Sequence, residues 1–189
     1  MSTLRTLSKF HSRLQGGGAR PNLFEVQLAF PDAVAVENDV LSKSRFLVKA
    51  AALPASTIAP IEVPFRGRIL KVAGDRTFET WTITVLNDSD FSIRSAFEKW
   101  MNTINSMNDA TGLVNPDEYQ ADAYVYQLDR DGGILRSYRF YDTFPTNIST
   151  IDLNYETTDT IEEFTVELQV HWWEASKGTS PAAGGEDIN

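Results

Sequence analysis

The chain contains no cysteine among its 189 residues. That absence excludes a disulfide framework, a thiolate nucleophile and Cys-ligated zinc. It also suits assembly in a reducing cytoplasm. Histidine is nearly as scarce: His11 and His171 share no metal-ligand spacing, so neither metal nor triad chemistry is expected of them. No apolar run approaches the ~20 residues of a membrane span, and the N-terminus lacks the apolar core of a secretory signal. Phosphate-loop signatures are missing too: Gly74-Asp75-Arg76 has no GK[ST] beside it and no helix directly after it. Basic charge is in deficit, with 17 Lys and Arg against 26 Asp and Glu, a net charge of −9. Such a surface disfavours adhesion to nucleic acid or anionic membrane. It reads either as ordinary solubility or as a surface past which a polyanion moves without sticking. Carboxylates are abundant but poorly placed for catalysis. Glu162 and Glu163 are adjacent on a strand and point to opposite faces. No catalytic residue, metal or cofactor is expected.

What is present is ordinary globular material, 42% hydrophobic and 23% charged, long enough to bury one core. Residues 63–88, VPFRGRILKVAGDRTFETWTITVLND, organise the rest. They read as two extended runs, Pro64 to Val72 and Glu79 to Leu86, joined by a turn at Ala73-Gly74-Asp75-Arg76. In the second run Trp81, Ile83 and Val85 alternate with Thr80, Thr82 and Thr84, the period of a half-buried strand. Asn87-Asp88-Ser89 then offers a helix N-cap.

Further strands are expected at Leu23 to Phe30 and at Arg45 to Ala51, the latter with Phe46 and Val48 inward. Others are expected at Asp122 to Leu128, at Ile134 to Tyr141, and from Glu163 to Trp172, where Phe164, Val166, Leu168, Val170 and Trp172 face in. Asp129-Arg130-Asp131-Gly132-Gly133 is a hairpin turn. Residues 32–44 form an excursion with a hairpin through Glu37-Asn38-Asp39, residues 54–64 with their three prolines form a long extended loop, and residues 146–153 are irregular. One substantial helix is expected over residues 90–108, with Ile93, Ala96, Phe97, Trp100, Ile104 and Met107 on one stripe; Phe97 and Trp100 would anchor it to the core. Residues 3–14 form a short amphipathic helix, with Leu4, Leu7, His11 and Leu14 on one face. The chain thus divides into an N-terminal arm and glycine hinge (1–18), a β domain (19–174) and a flexible tail (175–189). The fold class is mainly β: an antiparallel sandwich or partly open barrel with one flanking helix and a helical arm.

Arg66, Arg68, Lys71 and Arg76, with Asp75 among them, form a local basic cluster in an acidic protein. Aromatic interleaving and overall basic charge are both missing, so contact with a carboxylate-bearing protein surface is preferred to nucleic acid. The outward stripe of the last long strand, with Glu163 and Glu167, reads as a solvated sheet face.

Several stretches in order resemble the tail tube protein family of T4-like contractile-tailed bacteriophages. They are Arg20-Pro21-Asn22-Leu23-Phe24, Lys49-Ala50-Ala51-Ala52-Leu53-Pro54, Val72-Ala73-Gly74-Asp75-Arg76-Thr77-Phe78 with Trp81, Pro145-Thr146-Asn147-Ile148, and Phe164-x-Val166 running to Trp173-Glu174. The resemblance spans roughly residues 19–174. It implies a structural virion protein that forms hexameric rings, stacked into a tube inside a contractile sheath and assembled in the host cytoplasm. The implied partners are further copies of the chain, the sheath protein, and baseplate and tail terminator proteins. Phage DNA would pass through an acidic lumen without sequence-specific binding, with Glu163 and Glu167 facing that channel. The loop Ala55 to Lys71 would contact neighbouring subunits and rings; separately, the two charges Asp75 and Arg76 at the expected hairpin turn point to a role in assembly. The tube of a phage-derived contractile injection system, a baseplate paralogue that initiates the tube, and a monomeric ligand-binding β-barrel remain as alternatives.

Overall fold

The computed structural model describes residues 18–177. The expected helix over residues 3–14 and most of the expected flexible tail lie outside them. In chain order the elements are β1 (Phe24–Leu28), α1 (Asn38–Leu47), β2 (Val48–Ala51), β3 (Ser56–Phe65), β4 (Arg68–Phe78), β5 (Trp81–Leu86), α2 (Ser92–Ile104), α3 (Pro116–Tyr119), β6 (Ala121–Leu128), β7 (Ile134–Ile148), β8 (Glu163–Gln169) and β9 (Trp172–Lys177).

Seven of the strands run antiparallel in one continuous path, β1-β6-β7-β8-β5-β2, with β9 added beside β7. The path folds over on itself without closing into a barrel. Its first layer is β1, β6, β9 and the N-terminal part of β7; its second is β2, β5, β8 and the C-terminal part of β7. The alternation of strand side chains decides what lies between the layers. Trp81, Ile83 and Val85 on β5 and Phe164, Val166 and Leu168 on β8 are buried, facing Val26, Leu28, Ala123, Val125 and Phe140. Trp81 stacks on Phe140 with ring centroids 4.3 Å apart, and its indole Nε1 donates to the Ala52 carbonyl at 2.8 Å. The space that a ligand-binding barrel would leave open is filled with side chains.

Helix α2 buries Ile93, Ala96, Phe97 and Trp100 along one face. Phe30 sits 5.4 Å from the Phe97 ring and 5.3 Å from Trp100, and the Trp100 indole donates to the Tyr119 carbonyl at 2.6 Å. The helix stops before Met107, which is exposed. Its start is held by Asp88, whose carboxylate accepts from the Ser92 backbone N–H at 3.1 Å and hydroxyl at 2.9 Å. Burial alone would push the Asp88 carboxyl up; the two Ser92 hydrogen bonds and the Lys43 ammonium more than offset it and leave it below the ordinary carboxylate range.

Several expectations change. The excursion over residues 32–44 does not form a hairpin; from Asn38 it is helix α1, which continues to Leu47. Strand β2 therefore starts at Val48, not Arg45. Phe46 is 83% exposed on the helix, whereas Val48 is buried. β-Propensity at Phe46 gave way to the helical phase set by Val40 and Ser44, both buried. Strand β7 does not stop at Tyr141. A left-handed Asp142 (φ 54°) makes a bulge, and the strand runs on through Pro145 to Ile148 as part of the second layer. The last long strand breaks at Val170-His171, and Trp172 begins β9, which pairs in the other layer.

Candidate functional site

Among the described residues, strands β3 and β4 pair only with each other, as a separate two-stranded sheet. The reversal expected at Ala73–Arg76 is elsewhere. The chain turns at Arg66-Gly67, both with positive φ (45° and 82°), the conformation that a two-residue hairpin loop demands. Gly67 supplies the position that most side chains avoid. Residues 54–64 are accordingly not a loop: ten residues from Ser56 to Phe65 form a strand despite Pro60 and Pro64. Both strands of a two-stranded ribbon are edges, where proline is tolerated.

Gly74 serves a different purpose from the turn assigned to it. Pairing runs Ile58 to Arg76 and then Pro60 to Ala73, two steps on one strand against three on the other. Gly74 and Asp75 form the resulting bulge. A Cβ on Gly74 would lie 2.5 Å from the Ala59 carbonyl oxygen, so only glycine lets the strands close here.

The register assigns the ribbon's two faces. Ile61 pairs with Val72, Val63 with Leu70 and Phe65 with Arg68, so one face carries Ile61, Val63, Phe65, Leu70 and Val72. These five side chains are 45–67% exposed. The other face carries Glu62, Pro64, Ile69 and Lys71. An isolated two-stranded ribbon is marginal in water, and an exposed apolar stripe of this length marks an interaction surface. The alternation that reveals it was present in the sequence, but was masked by the misplaced turn.

The basic residues do not form one cluster. Arg66 and Arg68 share the tip, where the Arg66 guanidinium lies 5.3 Å from the Phe65 ring centroid. Lys71 reaches Glu62 at 3.4 Å. Arg76 lies beyond the bulge opposite Ile58, about 26 Å from Arg68 along an extended strand.

Glu163 and Glu167 lie on the outward side of β8. Thr82 opposes Glu167 and Thr84 opposes Thr165, giving a polar sheet face. Glu163 is ion-paired with Lys49 of β2, a partner that sequence reasoning missed. Phe97 and Trp100 are buried, as described above. His171 is exposed, and His11 lies outside the described residues. Among the described residues no three His, Asp or Glu side chains gather in a way that could hold a metal, and no helix is long and apolar enough to cross a membrane.

A family model for the phage tail tube protein matches residues 19–176. Tail tube protein gp19 of Enterobacteria phage T4 is 35% identical over 161 residues, covering 84% of this chain and 93% of the relative. Among solved structures, a chain of the anti-feeding prophage baseplate superposes with a TM-score of 0.62 at 12% identity, over 84% of this chain and 95% of that one. A chain of the sheath-tube complex of the extracellular contractile injection system PVC does so with a TM-score of 0.56 at 14% identity, over 88% and 97%. Those two likenesses speak for a shared fold. The family match covers most of the chain and the T4 relative adds sequence identity over nearly its whole length, so the chain belongs to the phage tail tube protein family.

Proposed function

We propose that the protein is the repeating subunit of the inner tube of a contractile phage tail: hexameric rings, stacked head to tail within a sheath and ending on baseplate and terminator proteins, through which DNA leaves. The observation that carries this reading is the β3–β4 ribbon, whose apolar face is bare among the described residues. In an assembly that face packs on a neighbouring copy, with Arg66, Arg68, Lys71, Asp75 and Arg76 supplying polar contacts around it. Strand β2, at the end of the second layer, presents backbone groups that a neighbour can pair. A heterologous contact of this kind generates a ring when its rotation closes and a filament when it does not. The polar outward face of β8 and β5, with Glu163 and Glu167, lines the lumen, where acidic side chains keep DNA from adhering. The role is structural, and no catalytic step is assigned.

Negative-stain microscopy and sizing of purified protein test the proposal together. Rings or tubes with six-fold end views are the expected result. A stable species near 21 kDa at high concentration, with no filaments on the grid, would support the ligand-binding barrel instead.

A further inference from the structure

The tube reading leaves open what receives the hairpin. We infer that its basic tip docks on the acidic loop between β7 and β8 of a copy in the adjacent ring. This inference rests on the tube reading and names the second half of its stacking contact.

Placement comes first. The ribbon runs into β5 at Trp81, which pairs with Leu168; the β7–β8 loop runs into β8 at Glu163, which pairs with Leu86 at the far end of β5. Hairpin and loop therefore leave opposite ends of the second layer, separated by one strand length of about 20 Å. Copies translated along that axis bring the hairpin of one to the loop of the next. β3 alone is ten residues, about 33 Å, long enough to lie across the end of a stacked neighbour.

Chemistry agrees. Residues 149–162 contain Asp152, Glu156, Asp159 and Glu162 and no basic residue. Glu162 accepts from the Asn87 side chain, while Asp152, Glu156 and Asp159 have no ion pair among the described residues. The same loop exposes Leu153, Tyr155 and Ile161, large apolar side chains with nothing over them in the described subunit. An acidic loop with apolar side chains is the complement of a ribbon with an apolar face and Arg66 and Arg68 at its tip. The loop is also fixed at both ends. The Ser149 N–H donates to the Thr165 carbonyl at 2.9 Å and the Asn87 N–H to the Glu162 carbonyl at 2.8 Å. It is thus a positioned surface.

A competing acidic surface is the groove lined by Asp32, Asp117, Glu118 and Asp122. It opens beside Ala121, at the start of β6. Through Thr143, Phe144, Gln169 and Leu168, that position is joined to Trp81, at the hairpin's own base. A copy stacked head to tail presents its other end, so this groove is not available to the tip.

Because the chain has no cysteine, one engineered pair gives an unambiguous crosslink. Arg66→Cys protein mixed with Asp159→Cys protein should give a mixed disulfide dimer on assembly under mild oxidation. In parallel, Arg66→Glu/Arg68→Glu and Asp152→Lys/Glu156→Lys/Asp159→Lys should each raise the critical concentration for tubes about ten-fold or more, with rings and melting curves retained, because like charges then face each other. Mixing the two variants should restore filaments, because each variant's tip then meets an oppositely charged loop on the other, and combining all five changes in one chain should do the same. Hairpin variants that fail to stack while loop variants assemble normally would overturn the loop assignment and leave the tube reading standing. Five-fold variants that remain blocked, or no crosslink in assembled tubes, would also overturn it. Wild-type protein that forms no tubes at all would remove the reading on which the inference rests.

Discussion

Replacing the cross-strand pair Val63 and Leu70 with threonine separates folding from assembly. Both side chains sit on the ribbon's bare face, and neither touches the sandwich core. Threonine is β-branched, so the strands retain their propensity. What is lost is apolar area available to a neighbour. Full burial of a Val or Leu side chain is worth about 1.5–3 kcal/mol. With roughly half of each already shielded within the subunit, the interface forfeits about 1 kcal/mol per residue, or about 2 kcal/mol per contact. Each subunit added to a filament contributes one such ribbon, so the critical concentration should rise about 30-fold. The readout is a pelleting or light-scattering series, with urea unfolding of unassembled protein as the control. A midpoint shift in the control, with assembly unchanged, would mean that the ribbon serves the subunit's own stability, and the reasoning would fail.

Gly74→Val should abolish tubes while leaving the sandwich's thermal midpoint nearly unchanged, because the clash with the Ala59 carbonyl is confined to the ribbon; a globally unfolded variant would show that ribbon and sandwich are one cooperative unit. Trp100→Ala should cost about 3–5 kcal/mol in urea unfolding, and Trp100→Phe about 1–3 kcal/mol for the Tyr119 carbonyl left without its donor; a negligible cost for Trp100→Phe would argue that the hydrogen bond contributes nothing. The Asp88 carboxyl titrates below its unfolded value, so its contribution is present at neutral pH and disappears as pH falls through that lowered folded value. Asp88→Asn should therefore be less stable than wild type at pH 7 and flatter on the acid limb, and an unchanged acid limb would dismiss the cap as the source. Glu163→Lys/Glu167→Lys tubes should retain DNA in a salt-dependent way, whereas negligible retention by both wild type and variant would count against a luminal position for that face.

The sandwich was legible wherever period two is unbroken. Trp81-Ile83-Val85 and Phe164-Val166-Leu168 have to face one way in any sheet, and these residues form the core. The stripe of α2 was equally plain. Legibility failed where one residue type serves two purposes. Gly74 followed by Asp75 has the composition of a turn, yet here it is a bulge; Arg66-Gly67 is the turn, although arginine rarely advertises one. Prolines at 60 and 64 suggested a loop because proline is barred from central strands, but a ribbon with no outer neighbours has only edges. The excursion at 32–44 has too weak an apolar period to announce the helix at 38–47; packing by Val40 and Ser44 decides it. The receptor loop has no period at all, and its position opposite the hairpin follows from strand register alone.

Strand β7 has a mechanical consequence. Its fifteen residues belong to both layers, paired with β6 and β9 up to Thr143 and with β8 from Phe144 on. The next crossing, from β8 to β9, spans only Val170 and His171. Two short covalent tethers thus tie the layers together near the hairpin's base. Sliding one layer against the other would stretch the backbone itself and tear two ladders at once. A push delivered to one wall of such a subunit reaches the other with little slack. A pipe built from it would advance as a stiff rod when driven from outside, with bending concentrated at the joints between rings.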